Sequence, residues 1–474
     1  MLLQLLGILS LGLLLIIFIP LKYRQFLSPI ALGASSIAFV FSLSLWLNFD
    51  ASSPKFQYVI NYGPSIGLDS ISLYFVLLTT FLFPLCILAS WGKIHTKLFL
   101  SCFLSIEILL ILVFSVIDLI WFYILFESVL IPIFLIIGIW GSRSRKIRAS
   151  YFFFVYTLVG SLFILSAILY IYSVVGTSQY ESLINYVFTF NQQKWLWLGF
   201  FLSFAVKVPI LPFHIWLPEA HVEAPTPGSA ILAGVLLKLG TYGFLRYSLP
   251  LFPIASLYYT PFIFTLSLIG VFYTSLTAIR QTDLKRIIAY TSVAHINLVI
   301  LGIFSFTSIG LHGCIIQSLS HGFVSSALFL LIGTLYDRYH TRLFLHYGGL
   351  VHVIPIFGIF FVLFTIANIA LPGSSSFVGE FLLLIGLFEA NPIATFFGAT
   401  SIVLGGIYSL WLLNRILYGN LKLQYLQSFT DLNRREVIVL GPLTLAVVYV
   451  GVYPDLFLDS LHISIEYTSN FYKS

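Results

Sequence analysis

The segment from Lys207 to Lys238, KVPILPFHIWLPEAHVEAPTPGSAILAGVLLK, sets two lysines inside apolar runs. Between them lie His214, His221, Glu219 and Glu223, and five prolines interrupt the helical pattern. An ammonium group in hydrocarbon costs about 2.5–3.5 kcal/mol on insertion scales. A chain that bears this cost generally uses the charge. The use open to a lysine out of water is proton exchange, because desolvation and neighbouring charges retune its proton affinity. Five more ionisable residues fall near the centre of apolar runs: Glu107, Glu127, His295, His321 and Glu380. Histidine, with an unperturbed pKa of about 6.5, suits a relay between such groups.

Each of these residues also has a purely structural reading. Glu127 serves as a fixed partner for Lys207, Lys238 as a hydrogen-bonded structural lysine, and the histidines and Glu107 as satisfied polar groups. Depth favours the functional reading. Incidental charges gather at helix ends, where long side chains snorkel to water, whereas these fall near the middle of their runs. A layer of Glu, Lys and His at one depth describes a proton track parallel to the membrane plane. Other chemistries lack their signatures. There is no HExxH, GxGxxG, P-loop or nucleophile elbow, so no nucleotide, flavin or NADH site is expected in this chain. His214 and His221 flank Pro218 without a ligand set around them, so metal binding is not expected. Cys86, Cys102 and Cys314 are scattered with no CxxC, which argues against an iron–sulfur cluster or a disulfide framework.

The elements that position these residues must be membrane helices. Of 474 residues, 59% are hydrophobic and 8% charged, against about 25% charged in a soluble domain; the mean hydropathy is +1.02. A span needs about 20 apolar residues. Fourteen fit, near 2–20, 28–48, 72–91, 97–117, 118–140, 150–175, 194–217, 228–249, 256–279, 287–305, 310–337, 354–389, 393–419 and 436–455. The first follows Met1 directly, with no basic n-region or cleavage site, and reads as a retained span.

Loop charges test the count. Odd-numbered loops carry most of the 23 Lys and Arg residues, from Lys22 and Lys93 through Lys285 and Arg342 to Arg435. Even-numbered loops and the C-terminal tail carry only Lys55, Lys194 and Lys473, while Lys207, Lys238, Arg246 and Arg415 fall within spans. By the positive-inside rule both termini face the less basic side. The net charge of +6 is then a matter of topology, and no nucleic-acid partner is expected.

The twelfth span is too long for one straight helix: 36 residues would run about 54 Å, against a hydrocarbon core of about 30 Å. Its middle, ALPGSSSFVGE, predicts a break, as do Pro209 and Pro212 in the seventh. Breaks at membrane depth need protein or water to satisfy the freed backbone groups. The two broken spans are five apart, an odd number, so equivalent elements run in opposite directions. This predicts an inverted repeat, spans 4–8 mirrored by spans 9–13. The expected divisions are 1–96 (three N-terminal helices), 97–250 and 251–420 (the two five-helix repeats), and 421–474 (the last span and tail).

Within this all-α polytopic chain, LPFHIWLPEAHVEAPTPGSAILAGVLLKLGTYGFLR closely resembles the signature of the antiporter-like subunits of respiratory complex I. FYILFESVLIPIF around Glu127, QTDLKRIIAYTSVAHIN around His295, SHGFVSSALFLLIG from His321 and LPGSSSFVGEF ending at Glu380 extend the resemblance from about residue 60 to 455. Two of the family's subunits, chains 2 and 5, carry a lysine on the twelfth span where this chain has Glu380. Chain 5 also continues into a long lateral helix, whereas about twenty residues follow Pro454 here.

The resemblance implies a Glu127–Lys207 ion pair, Lys238 as the central proton carrier, His295 and His321 as connecting groups, and Glu380 as the distal exit carboxylate. It implies a subunit of a proton-translocating NADH:ubiquinone reductase with no redox site of its own. NADH, FMN, iron–sulfur clusters and ubiquinone would be bound by other subunits. Expected neighbours are the chain 2 and chain 5 subunits, the lateral helix of chain 5, and phospholipids. The expected location is the mitochondrial inner membrane, with odd-numbered loops on the matrix side and both termini in the intermembrane space. A subunit of a multi-subunit Na+/H+ antiporter, or a structural membrane-arm subunit without a proton path, are the alternatives.

Overall fold

The computed structural model describes residues 1–60, 65–92, 97–425 and 429–470; Lys93 and Lys473 lie outside them. Among the described residues, counting segments that continue through a jog or a π turn as one, the chain folds into eighteen α-helices, three short 3-10 helices and one small hairpin. The first six are α1 (Leu2–Phe18), α2 (Leu27–Leu47), α3 (Ser70–Ser90), α4 (Lys97–Ser115), α5 (Leu119–Trp140) and α6 (Lys146–Val175). A short α7 (Tyr180–Ile184) precedes α8 (Phe190–Lys207), α9 (Trp216–Glu223) and α10 (Thr226–Leu251). Next come α11 (Pro253–Arg280), α12 (Leu284–Ile303), α13 (Ser308–Tyr339), α14 (Pro355–Asn368) and α15 (Ser375–Ala390). The last are α16 (Pro392–Leu417), α17 (Arg434–Val452) and α18 (Asp455–Asn470). Strands β1 (Gln57–Ile60) and β2 (Ile66–Leu68) pair antiparallel before α3.

Among the described residues, eleven helices are long and apolar enough to cross a membrane, and α1 and α14 are shorter apolar helices. Both expected breaks are present. The seventh span divides into α8 and α9 around Pro209 and Pro212, and the twelfth into α14 and α15 around Pro372 and Gly373. The stretch after Pro454 forms α18, which packs on α3 and α13.

Polar residues start many of these helices, because the first N–H groups have no partner within the helix. Asp69 and Ser72 form a capping box at α3. Asp118 accepts from Ile120 and Trp121 N–H, Asp283 from Lys285 N–H and Thr307 from Gly310 N–H. At the other end, Gly176 closes α6 in a left-handed conformation, φ +79°, which costs glycine little.

Helices α10 and α13 form the centre. The most apolar window of α10 is 100% buried and that of α13 94% buried, against 33% for α16. Lys238 and Arg246 on α10 and His321 on α13 are therefore enclosed by protein. α10 also contains two π-helical turns, Leu232–Leu236 and Phe244–Ser248. Small residues allow close approach of backbones. A Cβ on Gly313 of α13 would lie 2.5 Å from Leu383 N of α15, and one on Gly240 of α10 would lie 3.1 Å from Phe204 O of α8.

Candidate functional site

Lys238 is buried on α10, just after the first π turn. A helical side chain leans toward the N-terminus of its helix. Accordingly Lys238 Nζ donates to Ala233 O at 2.5 Å. The same nitrogen lies 2.9 Å from His321 Nδ1 on α13, and either group can hold the shared proton. The His321 ring is 5.9 Å, centroid to centroid, from the His295 ring on α12. His295 Nδ1 is 3.0 Å from Glu380 Oε1 on α15. Gln317 Nε2 donates to the same carboxylate oxygen at 3.0 Å, and Tyr408 Oη on α16 is 3.4 Å from His295 Nε2. Four predicted residues, Lys238, His321, His295 and Glu380, thus form one closely spaced series of titratable groups, all buried except the half-buried His295.

The other predicted pair is arranged differently. Lys207, the last residue of α8, donates from Nζ to Phe126 O at 3.2 Å and lies 3.9 Å from the centroid of the Phe126 ring. Phe126 O lies just ahead of the interruption of α5 at Val129, beyond which Pro132 offers no N–H. Glu127 bonds with Ser161, and its Oε1 has no partner among the described residues. The expected ion pair is therefore not a direct contact. Lys207 satisfies itself on the carbonyl and ring of the preceding residue, although the two charges remain close enough to interact. No side-chain hydrogen bond joins Lys207 to Lys238 among the described residues.

His221 on α9 is fully buried and stacks on Phe329, with centroids 4.7 Å apart at 7°. Neither ring nitrogen has a partner among the described residues, and the ring feels the charges of both Lys238 and Lys285. His214, in the break between α8 and α9, lies against Tyr273, 5.6 Å between centroids, with Nδ1 unpartnered among the described residues. Glu107 on α4 is fully buried with both carboxylate oxygens unpartnered among the described residues, and it joins neither cluster.

Several residues at the site had not been singled out. Gln317 and Tyr408 are ordinary polar residues on helices, visible only once the helices are packed. Lys285 was counted with the loop charges, yet it is buried in the first turn of α12, donating to Ala224 O at 2.9 Å and to Ser229 Oγ at 3.4 Å. This ties the α9–α10 junction to the second half of the molecule. Arg342, another loop charge, is buried and donates to Val222 O and Ser142 Oγ. Their proximity to apolar runs was the one available signal. Among the described residues there is no group of three or more His, Cys, Asp or Glu residues placed to hold a metal ion.

Residues 116–405 match the family described as NADH:quinone oxidoreductase/Mrp antiporter, TM, and residues 5–116 that described as NADH-ubiquinone oxidoreductase chain 4, amino terminus. Among curated relatives, NADH-ubiquinone oxidoreductase chain 4 of Chondrus crispus is 53% identical over 463 residues, covering 96% of this chain and 94% of the relative. That of Arabidopsis thaliana is 54% identical over 465 residues with the same coverage. Among solved structures, a chain of respiratory complex I from Thermus thermophilus with bound NADH superposes with a TM-score of 0.91 at 28% identity, covering 100% of both chains. A chain of the membrane-bound sulfane sulfur reductase, an archaeal respiratory membrane complex, superposes with a TM-score of 0.86 at 22% identity, covering 96% of this chain and 77% of that one, a likeness of fold alone.

Proposed function

The chain belongs to the NADH:quinone oxidoreductase/Mrp antiporter family and, within it, to the NADH-ubiquinone oxidoreductase chain 4 group; from that premise we propose that it carries one proton path of complex I through the groups just described. It is an antiporter-like membrane subunit, and the oxidoreduction of NADH and quinone takes place in other subunits. The observation that carries the path is the close spacing of exchangeable groups: 2.9 Å between Lys238 and His321, 3.0 Å between His295 and Glu380, and 5.9 Å between the two imidazole rings.

In the forward direction a proton on Lys238 Nζ passes to His321 Nδ1, and His321 releases one from its other nitrogen toward His295. Ring rotation or one bridging water completes the step between rings. His295 then delivers a proton to Glu380, which Gln317 holds in place. Lys207 and Glu127 act upstream as the switch. Because they are coupled without being in contact, a small movement of α8 against α5 changes their interaction and with it the proton affinity of both groups. His214, His221 and Glu107 are further proton-transfer groups, set apart from the series that runs from Lys238 to Glu380.

The same reading gives fourteen membrane passages, ten of them in two inverted repeats, 97–250 and 251–420, around this path, and four in the flanking segments 1–96 and 421–474. It sets the protein in the mitochondrial inner membrane with the basic odd-numbered loops in the matrix and both termini in the intermembrane space. Its neighbours are the chain 2 and chain 5 subunits, the lateral helix of chain 5 and phospholipids. NADH, FMN, iron–sulfur clusters and ubiquinone are bound elsewhere in the complex. Lys238→Met tests the proposal. In the assembled complex, proton pumping per NADH oxidised should fall; normal pumping would remove Lys238 from the path.

A further inference from the structure

On α10, Lys238, Tyr242 and Arg246 follow one another at helical spacing, and none of them is exposed. Arg246 pairs through Nη2 with Asp69 Oδ1, and the two side chains are 8% and 6% exposed. Asp69 is itself fixed by its capping box with Ser72. The guanidinium lies 4.9 Å from the Phe56 ring centroid and 5.4 Å from that of Tyr180. Arg246 Nε donates to Tyr242 Oη at 3.2 Å, and Tyr242 Oη donates to Phe114 O at 3.0 Å. The Tyr242 ring is collared by Phe114 at 5.2 Å, Phe75 at 5.9 Å and Phe122 at 6.5 Å between centroids. On the far side of Arg246 a cavity of about 380 Å³, lined by Lys55, Asp69, Tyr180, Glu181 and Ser464 among others, reaches the end of the molecule that carries the hairpin and α18. It extends as far as the Asp69–Arg246 pair, with the aromatic collar and then Lys238 beyond.

We propose that Arg246, held by Asp69, is a proton barrier that closes the first half of the molecule between this cavity and Lys238. A proton relay needs groups that accept before they donate. A guanidinium has five donors and no acceptor, and it does not give up its proton. Tyr242 Oη would be the next stepping stone, but it accepts from Arg246 and directs its own proton onto the Phe114 carbonyl, so no proton passes along it without breaking both bonds. With this side closed, a proton on Lys238 goes toward His321 and does not leak to the cavity. The inference rests on the reading of Lys238 as a proton carrier.

The test is passive proton permeability of the assembled complex in sealed vesicles under an imposed pH gradient, without NADH. Arg246→Gln should raise the leak about tenfold or more, the ratio that corresponds to about 1.4 kcal/mol of lost barrier. That variant leaves Asp69 buried and unpaired, a condition that destabilises folded proteins. The double variant Arg246→Gln with Asp69→Asn removes both charges and should leak equally. An assembled complex of either kind that holds the gradient as the wild type does would overturn the barrier. Adding Lys238→Met to the leaky variant separates the two ideas. A leak that closes supports both, whereas a leak that persists leaves the barrier standing and removes Lys238 as the carrier.

Discussion

Gly313→Ala probes the path without touching any group that carries a proton. A Cβ at Gly313 would lie 2.5 Å from Leu383 N, 2.9 Å from Leu382 C and 3.1 Å from Gly379 O, all of them backbone atoms of α15. No side-chain rotation relieves such contacts. Carbon atoms rest at about 3.5–4.0 Å, so α13 and α15 must separate by roughly 1 Å locally. Gln317 sits one turn along α13 from Gly313, and Glu380 follows Gly379 on α15. The Gln317–Glu380 bond, now 3.0 Å, would stretch to about 4 Å, beyond hydrogen-bonding distance. Overpacking costs about 1–3 kcal/mol of stability, and the lost bond to a charged group about 1.5–3 kcal/mol, a tenfold or greater change in how firmly Glu380 is held. Pumping per NADH oxidised, measured in vesicles with the assembled complex, should fall several-fold. Gly33→Ala, on α2 with open space around its added Cβ, should leave it unchanged. Full pumping in an assembled Gly313→Ala complex would refute the claim that the α13–α15 spacing sets the terminal carboxylate.

Glu127→Gln should reduce coupled turnover while the complex assembles normally, because Lys207 already has Phe126 O as a partner; an assembly defect without a pumping defect would make Glu127 structural. Lys285→Met removes the nearer of two donors to the buried Ala224 carbonyl, leaving Ser229 Oγ at 3.4 Å, and should destabilise the subunit by about 1–3 kcal/mol, read as earlier thermal dissociation of the complex. Tyr408→Phe should change pumping less than twofold, since its contact with His295 is long, at 3.4 Å; a larger loss would make Tyr408 part of the path.

Hydropathy and proline placement made the helices and both breaks legible, because burial in an apolar medium and the missing proline N–H act locally. The same signals picked out Lys238, His295, His321 and Glu380. What they did not give is adjacency. The Lys238–His321 and His295–Glu380 pairs join residues 83 and 85 apart in the chain, and no local rule states which helices neighbour which. For the same reason Gln317 was invisible and Lys207 was assigned to a carboxylate, when a carbonyl and an aromatic face one residue earlier lay nearer. Lys285 and Arg342 were misread as loop charges because a count of cations near helix ends does not register that a neighbouring helix covers them.

The two π turns that flank Lys238 have a mechanical consequence. Each widened turn holds one residue more than an α turn, and such bulges occur mostly as single turns inside α-helices, often at functional sites. If the turn at Leu232–Leu236 moved past Lys238, the lysine would rotate about the helix axis by the angle of one residue, about 100°, and advance about 1.5 Å, while both ends of α10 stayed in place. Helix α10 would then act as a crankshaft, turning its ammonium away from His321 while its own ends stay fixed.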